Sequence, residues 1–354
     1  MADRGLDRYR SMRDASRTPE PVPPEGPLPS GDNDTFVIQE HHASALHWDF
    51  RLERDGVLVS WALPKGLPLD PKDNHLAVPT EDHPLEYASF AGDIAHGEYG
   101  GGQVILWDRG TYETEKWDGR EVKIVLHGGR SEGRYVLFST GKNWMIHRMD
   151  PAPAGYERLP DDLRPMVPTP GRRMPRGGHD WAYELRWPGT RLLVWVDGGR
   201  PVVRDGAGKD RTAAFPELRE MAESLGSHQA VVDGVIFGPA DSGAPSAEPV
   251  RKRLAAGSSS AVRRLRQQSP LTFMVVDLLH LDGRSLLTDA YDDRRAALDD
   301  LGLDGPAWHP SPVFDDGPDL LAAARQQGLP GVVAKRRASP YRSGQTHDDW
   351  REIS

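Results

Sequence analysis

The sequence predicts two domains, an all-β barrel followed by an α+β domain. Short alternating apolar runs, broken by glycine and aspartate turns, fill residues 35–150 and are typical of a barrel or sandwich. Over residues 166–354, segments with helical periodicity occur among strands. A proline-rich stretch over 151–165 separates the two patterns and predicts a linker.

Residues 1–34 precede both domains and differ from them in composition. They contain Pro19-Glu20-Pro21-Val22-Pro23-Pro24-Glu25-Gly26-Pro27 and many polar residues. So few apolar side chains cannot build a core, and the composition predicts a disordered tail.

Within the two domains, individual elements follow from apolar periodicity. The clearest barrel strands are predicted at 56–61, 103–107 and 134–138. In the second domain, 213–225 and 291–301 predict amphipathic helices, while 230–237 and 271–277 predict strands. The serine-, proline- and alanine-rich segment 238–261 predicts a mobile surface excursion.

Composition narrows the classes of protein. The chain has 354 residues and no cysteine, which excludes disulfides, thiolate metal sites and cysteine nucleophiles. A formal charge of −9 argues against a protein that coats nucleic acid along its length, but it leaves room for a local basic groove. Because it lacks a long apolar run and a signal-peptide core, the chain is expected to be soluble and cytoplasmic, without a membrane partner.

One short segment concentrates groups that bind metals and phosphate. In an extended strand, His47, Asp49 and Arg51 would share one face, and His41 could complete the set from a preceding turn. Two imidazoles and a carboxylate suit manganese, iron or zinc, and a guanidinium suits phosphate oxygens. A lone His-x-Asp is usually a solvated strand face. Here six of the thirteen histidines lie between residues 41 and 96, which favours a metal site.

Residues 35–150 resemble the 3'-phosphoesterase module of bacterial DNA ligase D, a multifunctional protein of non-homologous end joining. The resemblance runs through Phe36-Val37-Ile38-Gln39, His41, His47-Trp48-Asp49-Phe50-Arg51-Leu52-Glu53, Ser60 to Gly66, Glu81-Asp82-His83-Pro84, Gly97 to Gly102 and Lys142-Asn143-Trp144. It implies a compact β-barrel with a manganese-dependent activity, although other divalent ions remain open. That activity removes a 3'-terminal ribonucleotide or a 3'-phosphate from DNA.

The resemblance also assigns roles by position. It implies that His41, His47 and Asp49 hold the metal, and that the other active-site positions are Arg51, Glu81, His83 and Tyr87. His83 would act as general acid or base, and Arg51 would contact phosphate. His75 stands where the family usually has an arginine that contacts phosphate, so phosphate binding is expected to be weaker or more pH-dependent.

The second domain resembles the nucleotidyltransferase domain of ATP-dependent DNA ligases. The matching segments are Tyr183 to Arg191, Val232-Asp233-Gly234, Phe273 to Gly283 and Gly331 to Arg336. Arg186 replaces the lysine that attacks ATP, and a guanidinium is a poor nucleophile. Carboxylates of the family are replaced by Pro188, Val235 and Pro330, whereas Lys335 is retained. With no room for an oligonucleotide-binding (OB-fold) domain after residue 354, we expect a degenerate ligase-like domain without adenylation or use of ATP.

These observations predict a metal-dependent phosphoesterase that heals DNA 3' ends at primer-templates or double-strand breaks. The alternatives are an active ATP-dependent ligase, a non-haem iron oxygenase built on the same His-His-Asp set, and a non-catalytic DNA-end-binding module. The ligase-like domain would dock or position DNA, or merely support the first domain. The resemblance implies a Ku-type end-binding protein and a separate polymerase or ligase as partners, on the bacterial nucleoid.

Overall fold

The computed structural model describes residues 5–354, which form two compact units with a boundary between Ala154 and Gly155. No helix within these residues is long and apolar enough to cross a membrane. The first unit contains α1 (Asp7–Ser11), β1 (Thr35–His42), β2 (Leu46–Arg54), β3 (Val57–Leu63), β4 (Asn74–Pro79), β5 (Gly92–Ile94), β6 (Gly102–Trp117), β7 (Glu121–Gly128), β8 (Glu132–Ser139) and β9 (Trp144–Arg148).

Eight strands of the first unit close into an antiparallel barrel, which confirms the predicted fold. Their order is β1-β2-β3-β4-β9-β8-β7-β6, and β6 pairs back with β1, while β5 adds to β6. Closure leaves no free edge along the ring. The interior is filled by aromatic and branched side chains, among them Phe50, Trp61, Ile124 and Leu137.

The alternation along β2 decides where the polar side chains lie. Trp48, Phe50 and Leu52 point into the barrel core. Because successive side chains of a strand point to opposite faces, Asp49 and Arg51 lie on the other face of the barrel wall. The predicted sharing of one face is confirmed.

The prediction of a disordered tail over 1–34 is wrong for residues 5–34, and residues 1–4 lie outside the described part. Leu6, just before α1, and Tyr9 of α1 are buried against Val37 and Tyr87, in a cluster on the outer face of the barrel. The Tyr9 hydroxyl donates to the carbonyl of Pro21. The segment needs no core of its own, because the barrel supplies the apolar surface on which it folds.

The second unit has mixed sheets and helices, as expected. Its strands are β10 (Val167–Gly171), β11 (Trp181–Leu185), β12 (Thr190–Asp197), β13 (Arg200–Asp205), β14 (Ala230–Pro239), β15 (Pro245–Ser246), β16 (Thr272–Leu281), β17 (Arg284–Ser285), β18 (Trp308–Pro310), β19 (Val313–Phe314), β20 (Val332–Arg336) and β21 (Thr346–Ile353). Its helices are α2 (Glu217–Ser224), α3 (Glu248–Leu254), α4 (Ser259–Gln268), α5 (Tyr291–Asp300) and α6 (Gly317–Gln326).

Two sheets organise this unit. One has the order β10-β21-β20-β11-β19, and the other has β13-β12-β14-β16-β17 with β15 and β18 at its sides. The main core lies against the second sheet and contains Leu192, Phe215, Val232, Phe273 and Leu298. The helix predicted at 291–301 is confirmed as α5. The helix predicted at 213–225 starts later, at Glu217, because Pro216 disfavours a helical residue before it.

Two predicted irregular segments are more ordered than their composition suggested. The prediction of a mobile surface excursion over 238–261 is wrong, because α3 and the start of α4 lie there. Val250 of α3 is fully buried in the core. In the predicted linker 151–165, Leu163 is buried, and the Trp195 indole donates to the carbonyl of Pro160 at 2.7 Å. The C-terminal part of that linker therefore belongs to the second unit.

Candidate metal centre

Three predicted metal ligands converge on the outer face of the barrel. His41 lies directly opposite His47 in the β1–β2 pair, on a strand rather than in the predicted turn, and Asp49 follows two residues later on β2. One ligand atom from each lies within 4.8 Å of the others. The two imidazole centroids are also 4.8 Å apart.

Backbone carbonyls fix both imidazoles with one nitrogen facing the cluster. His41 Nε2 lies 2.9 Å from the Gly100 carbonyl, and His47 Nδ1 lies 3.0 Å from that of Ala45. A carbonyl only accepts, so these two nitrogens carry the protons. The other nitrogens, 3.5 and 3.6 Å from oxygens of Asp49, keep lone pairs for a cation. This outer-shell arrangement is common around metal-bound histidines, and the donor set fits manganese, iron or zinc.

Asp49 is ionised despite its burial. Burial alone would raise the pKa of its carboxyl group, but nearby Arg51, His41 and His47 hold that pKa well below its ordinary value. Arg51 donates to Asp49 Oδ2 at 3.0 Å. The metal site therefore contains a fixed negative charge at any pH near neutrality.

Arg51 is 2% exposed and connects the metal ligands with His83. Its Nε donates to Gln39, and its Nη1 donates to Ser60 and lies 2.9 Å from His83 Nδ1. Together with the bond to Asp49, three of the five N–H groups of the guanidinium have an acceptor, and a fourth faces His83 Nδ1. Arg51 is therefore mainly a positioning group, with one N–H on Nη2 left for a ligand.

His83 is buried between two arginines. Its Nδ1 lies 2.9 Å from Arg51 Nη1 and 2.9 Å from the carbonyl of Glu81, and its Nε2 lies 3.4 Å from Nη2 of Arg13. Burial lowers its pKa well below the ordinary value, and both guanidinium groups lower it further. The imidazole is therefore neutral near pH 7 in the metal-free protein, which suits a hydrogen-bond acceptor or base better than an acid.

The N-terminal segment supplies residues that the sequence did not indicate. Arg13 donates to Glu81 at 3.2 Å and to Glu20 at 2.9 Å, and all three side chains are nearly buried. Glu20 also accepts from the Tyr87 hydroxyl at 3.0 Å. Arg13 and Glu20 are thus part of the site. The available signal was the pair Leu6 and Tyr9, spaced for one face of a short helix.

Of the three remaining predicted positions, the structure places two beside His83 and one apart from it. Glu81 and Tyr87 lie beside His83, and burial raises the Tyr87 pKa, so its hydroxyl stays protonated. His75 Nδ1 lies 2.9 Å from the Gly66 carbonyl. His75 lies two residues from Ala77, which faces the barrel core, so it is on the opposite wall face from Asp49. Its phosphate role stays a prediction.

In the second unit, the position predicted for a nucleophilic lysine is occupied by an ion pair. Arg186 Nη2 lies 2.7 Å from Glu352. The retained Lys335 is 1% exposed and contacts Glu184 at 2.5 Å. Burial lowers the pKa of Lys335, although the Glu184 charge opposes this. The amine also donates to the carbonyl of Val276 at 2.6 Å.

Further buried pairs surround Lys335. Arg191 donates to both oxygens of Asp233, which also accepts from the Tyr341 hydroxyl at 2.6 Å. Arg294 binds both oxygens of Asp277 at 2.8 Å. Each cation in this cluster has its own carboxylate, and Glu184 Oε2 is the carboxylate oxygen without a hydrogen-bond partner among these described groups.

Comparison with protein families agrees with the two units. Residues 39–139 match the DNA Ligase D 3'-phosphoesterase domain, and residues 172–353 match the ATP dependent DNA ligase domain, which is more than half of the chain. The chain belongs to the DNA ligase D family. Its units are a ligase D 3'-phosphoesterase domain and an ATP-dependent DNA ligase domain, as the sequence resemblance predicted.

Individual relatives extend this similarity over almost the whole chain. A multifunctional non-homologous end joining protein LigD from Mycobacterium bovis is 47% identical over 355 residues, covering 99% of this chain and 45% of that protein. The LigD of Pseudomonas aeruginosa is 33% identical over 402 residues, covering 97% of this chain and 46% of that protein. The chain thus spans about half the length of these ligase D proteins.

One similar solved structure is that of a ligase domain. The crystal structure of the ligase domain from M. tuberculosis LigD is 35% identical to this chain, with a TM-score of 0.47. The match covers 55% of this chain and 60% of the chain in that structure.

Proposed function

We propose that the N-terminal domain is a metal-dependent phosphoesterase that acts on DNA 3' ends, removing a 3'-phosphate or a terminal 3'-ribonucleotide. The observation that carries this proposal is the convergence of His41, His47 and Asp49 within 4.8 Å, joined to His83 through Arg51. Membership of the 3'-phosphoesterase family supports the choice of substrate class.

The charge of the site supports the need for a metal. Two guanidinium groups, from Arg13 and Arg51, face three carboxylates, from Glu20, Glu81 and Asp49. With neutral histidines this set is negative, and an anionic phosphate would be repelled. A divalent cation held by His41, His47 and Asp49 would reverse the sign, stabilise developing charge on the phosphate and favour ionisation of a bound water. We propose manganese, with other divalent ions as weaker substitutes.

The chain's own residues would then orient the reaction. Arg51 fixes the Asp49 carboxylate and offers its remaining N–H to a phosphate oxygen. His83, kept neutral, would accept a proton from an attacking water, and Glu81 with Arg13 would hold that imidazole in place. Tyr87 would serve as a buried, protonated hydrogen-bond donor at the wall of the site.

The direct test is an end-healing assay. A labelled primer-template ending in a 3'-phosphate or a single 3'-ribonucleotide is incubated with manganese, magnesium, iron or zinc, and with EDTA. We expect conversion to a 3'-hydroxyl end with manganese and none with EDTA. A primer already ending in deoxyribose 3'-hydroxyl should stay unchanged. Absence of product with every ion would refute the proposal and favour a non-catalytic end-binding domain.

For the second domain we propose that it does not adenylate and instead positions DNA or docks a partner. Support comes from Arg186, which is paired with Glu352, and from Lys335, which is enclosed by Glu184 and Val276. Incubation with radiolabelled ATP and magnesium or manganese should give no covalent AMP adduct. An acid-labile adduct on a lysine would establish an active ligase instead.

We also propose a place for this activity in double-strand break repair on the bacterial nucleoid. The names of the ligase D relatives point to non-homologous end joining. A Ku-type end-binding protein and a separate polymerase or ligase are the partners we expect. Co-migration of the chain with a Ku-type protein on a linear duplex, but not on a closed circle, would support this; independent binding of the two would contradict it.

A further inference from the structure

Tyr99 lies in a loop that borders the metal centre on two sides. The carbonyl of the next residue, Gly100, accepts the hydrogen bond from His41, and Gly100 has a φ of +75°, which favours glycine. The Tyr99 hydroxyl donates to Glu81 Oε2 at 3.3 Å, next to His83. The loop therefore links the metal ligands with the His83 side of the site.

The Tyr99 ring is held in place yet open to solvent. The guanidinium carbon of Arg13 lies 5.4 Å from its centroid, within the range of a cation–π contact. A second arginine of the N-terminal segment, Arg17, pairs with the neighbouring Glu98 and fastens the loop. Even so, Tyr99 is 46% exposed, whereas the metal-site residues His41 and Asp49 are each 6% exposed. A large rigid ring thus borders the buried cluster of His41, His47 and Asp49.

We propose that Tyr99 forms a nucleobase subsite, on which the terminal base of the DNA 3' end stacks while its phosphate enters the metal centre. This rests on the proposed phosphoesterase function. Every base has a π face, so an aromatic platform binds ends without regard to sequence. The mobility of an exposed tyrosine is already reduced here by Arg13 and Glu81, which lowers the entropy lost on stacking.

A stacking role and a structural role predict different kinetics. If Tyr99 only supported the loop, its loss would shift Gly100 and His41 and lower kcat equally on every substrate. If Tyr99 stacks on a base, its loss raises KM on ends that carry a base and has little effect on ends that lack one. The hydroxyl is not needed for stacking, so Tyr99→Phe should keep the preference.

The kinetic experiment compares two primer-templates that both end in a 3'-phosphate. One has a terminal nucleotide with its base, and the other has a tetrahydrofuran abasic residue. For Tyr99→Ala we expect KM to rise about 10-fold on the first and less than about 2-fold on the second. Tyr99→Phe should keep the preference for the end that carries a base. Phe314→Ala, which removes an exposed aromatic ring of the second domain, should behave as wild type. Equal losses on both substrates would overturn the proposal.

A binding measurement separates this proposal from the proposed function. The base-bearing primer carries 2-aminopurine at its 3' end and a dye at its 5' end. Manganese is present, and a 3'-methylenephosphonate in place of the phosphate ester prevents turnover because its P–C bond is not hydrolysed. At saturation, established from dye anisotropy, wild type and Tyr99→Phe should quench the 2-aminopurine and Tyr99→Ala should not. Equal fluorescence in all three overturns the subsite, even if the phosphoesterase is active. Quenching by an inactive wild type would retain the subsite and refute the phosphoesterase.

Discussion

Both units of the molecule bury a cluster of charged side chains, but they balance the charges differently. In the ligase unit, Arg191, Arg294 and Lys335 are matched one to one with Asp233, Asp277 and Glu184. In the phosphoesterase unit, Arg13 and Arg51 face three carboxylates, and two histidines keep free lone pairs toward one point. In the first cluster the positive and negative charges are equal in number, and in the second the carboxylates outnumber the cations.

This difference distinguishes a buried polar core from a binding site. A buried ion pair offsets its desolvation with its own partner and requires no further ligand. A buried group of acceptors with too few cations is costly until a cation arrives, so it persists where binding or catalysis requires it. The predictions below test this contrast, from the largest expected effect to the smallest.

Removing one metal ligand should abolish the activity of the first unit. His47→Ala leaves two ligands, too few to hold a divalent ion against water, so we expect manganese-dependent release of 3'-phosphate to fall by at least about 1000-fold. His41→Ala and Asp49→Ala should do the same. Activity is measured on the 3'-phosphate primer-template, with circular dichroism to confirm folding.

The matched control is His127→Ala, which removes a histidine that pairs with Glu113 on the barrel surface. It should retain full activity. A folded His47→Ala protein with wild-type activity would show that the acceptor cluster is not the metal centre.

In the ligase unit, breaking one matched pair should affect stability rather than catalysis. Lys335→Met leaves Glu184 buried without its cation, which costs about 3–5 kcal/mol of unfolding free energy. We expect a lower urea midpoint for the second unit and unchanged phosphoesterase activity. Lys252→Ala breaks an exposed pair with Glu248 and should cost less than about 0.5 kcal/mol. If Lys335→Met lowered the unfolding free energy as little as Lys252→Ala does, Lys335 would be free to bind a ligand.

The part of the site on β2 could be predicted because strand periodicity is local. The spacing of His47, Asp49 and Arg51 fixes their common face once the strand forms, and the apolar Trp48 and Phe50 fix which face is buried. Likewise, the barrel and the α+β unit follow from the periods of their apolar residues. The register of the β1–β2 pair then places His41 opposite His47 and completes the set of three metal ligands.

The remainder depends on contacts between residues far apart in sequence. Arg13 reaches Glu81 across 68 positions, and Tyr87 reaches Glu20 across 67. The composition of residues 5–34 indicates correctly that this segment cannot form a core of its own. It could not show that the barrel offers an apolar surface on which the segment folds. The pairing of Lys335 with Glu184 could not be predicted either, because the two residues lie far apart in sequence.

Arg13 tests whether the N-terminal segment belongs to the site. Arg13→Ala removes the cation between Glu20 and Glu81 and adds to the excess negative charge, so we expect phosphoesterase activity to fall about 10- to 100-fold. Arg13→Lys keeps the positive charge but cannot reach both carboxylates in the same way, so its activity should lie between those of wild type and Arg13→Ala. Arg8→Ala, at an exposed position of α1, should retain activity. Full activity in Arg13→Ala would limit the site to the barrel.

The smallest effect concerns acid stability, where buried histidines of the two units should differ. His83 has a pKa well below 6.5 through burial and two arginines, and His280 has a lowered pKa through burial. Above pH 6.5 each is neutral both folded and unfolded, so neither costs stability. Below it the unfolded chain binds a proton that the folded chain refuses, which costs at most about 1.4 kcal/mol per pH unit until the folded pKa is reached. Because the His83 pKa is lowered further, its loss should continue to lower pH than that of His280. Urea unfolding of metal-free wild type, His83→Gln and His280→Gln from pH 8 to 4.5 measures this, and a pH dependence that neither substitution reduces would exclude both histidines as its source.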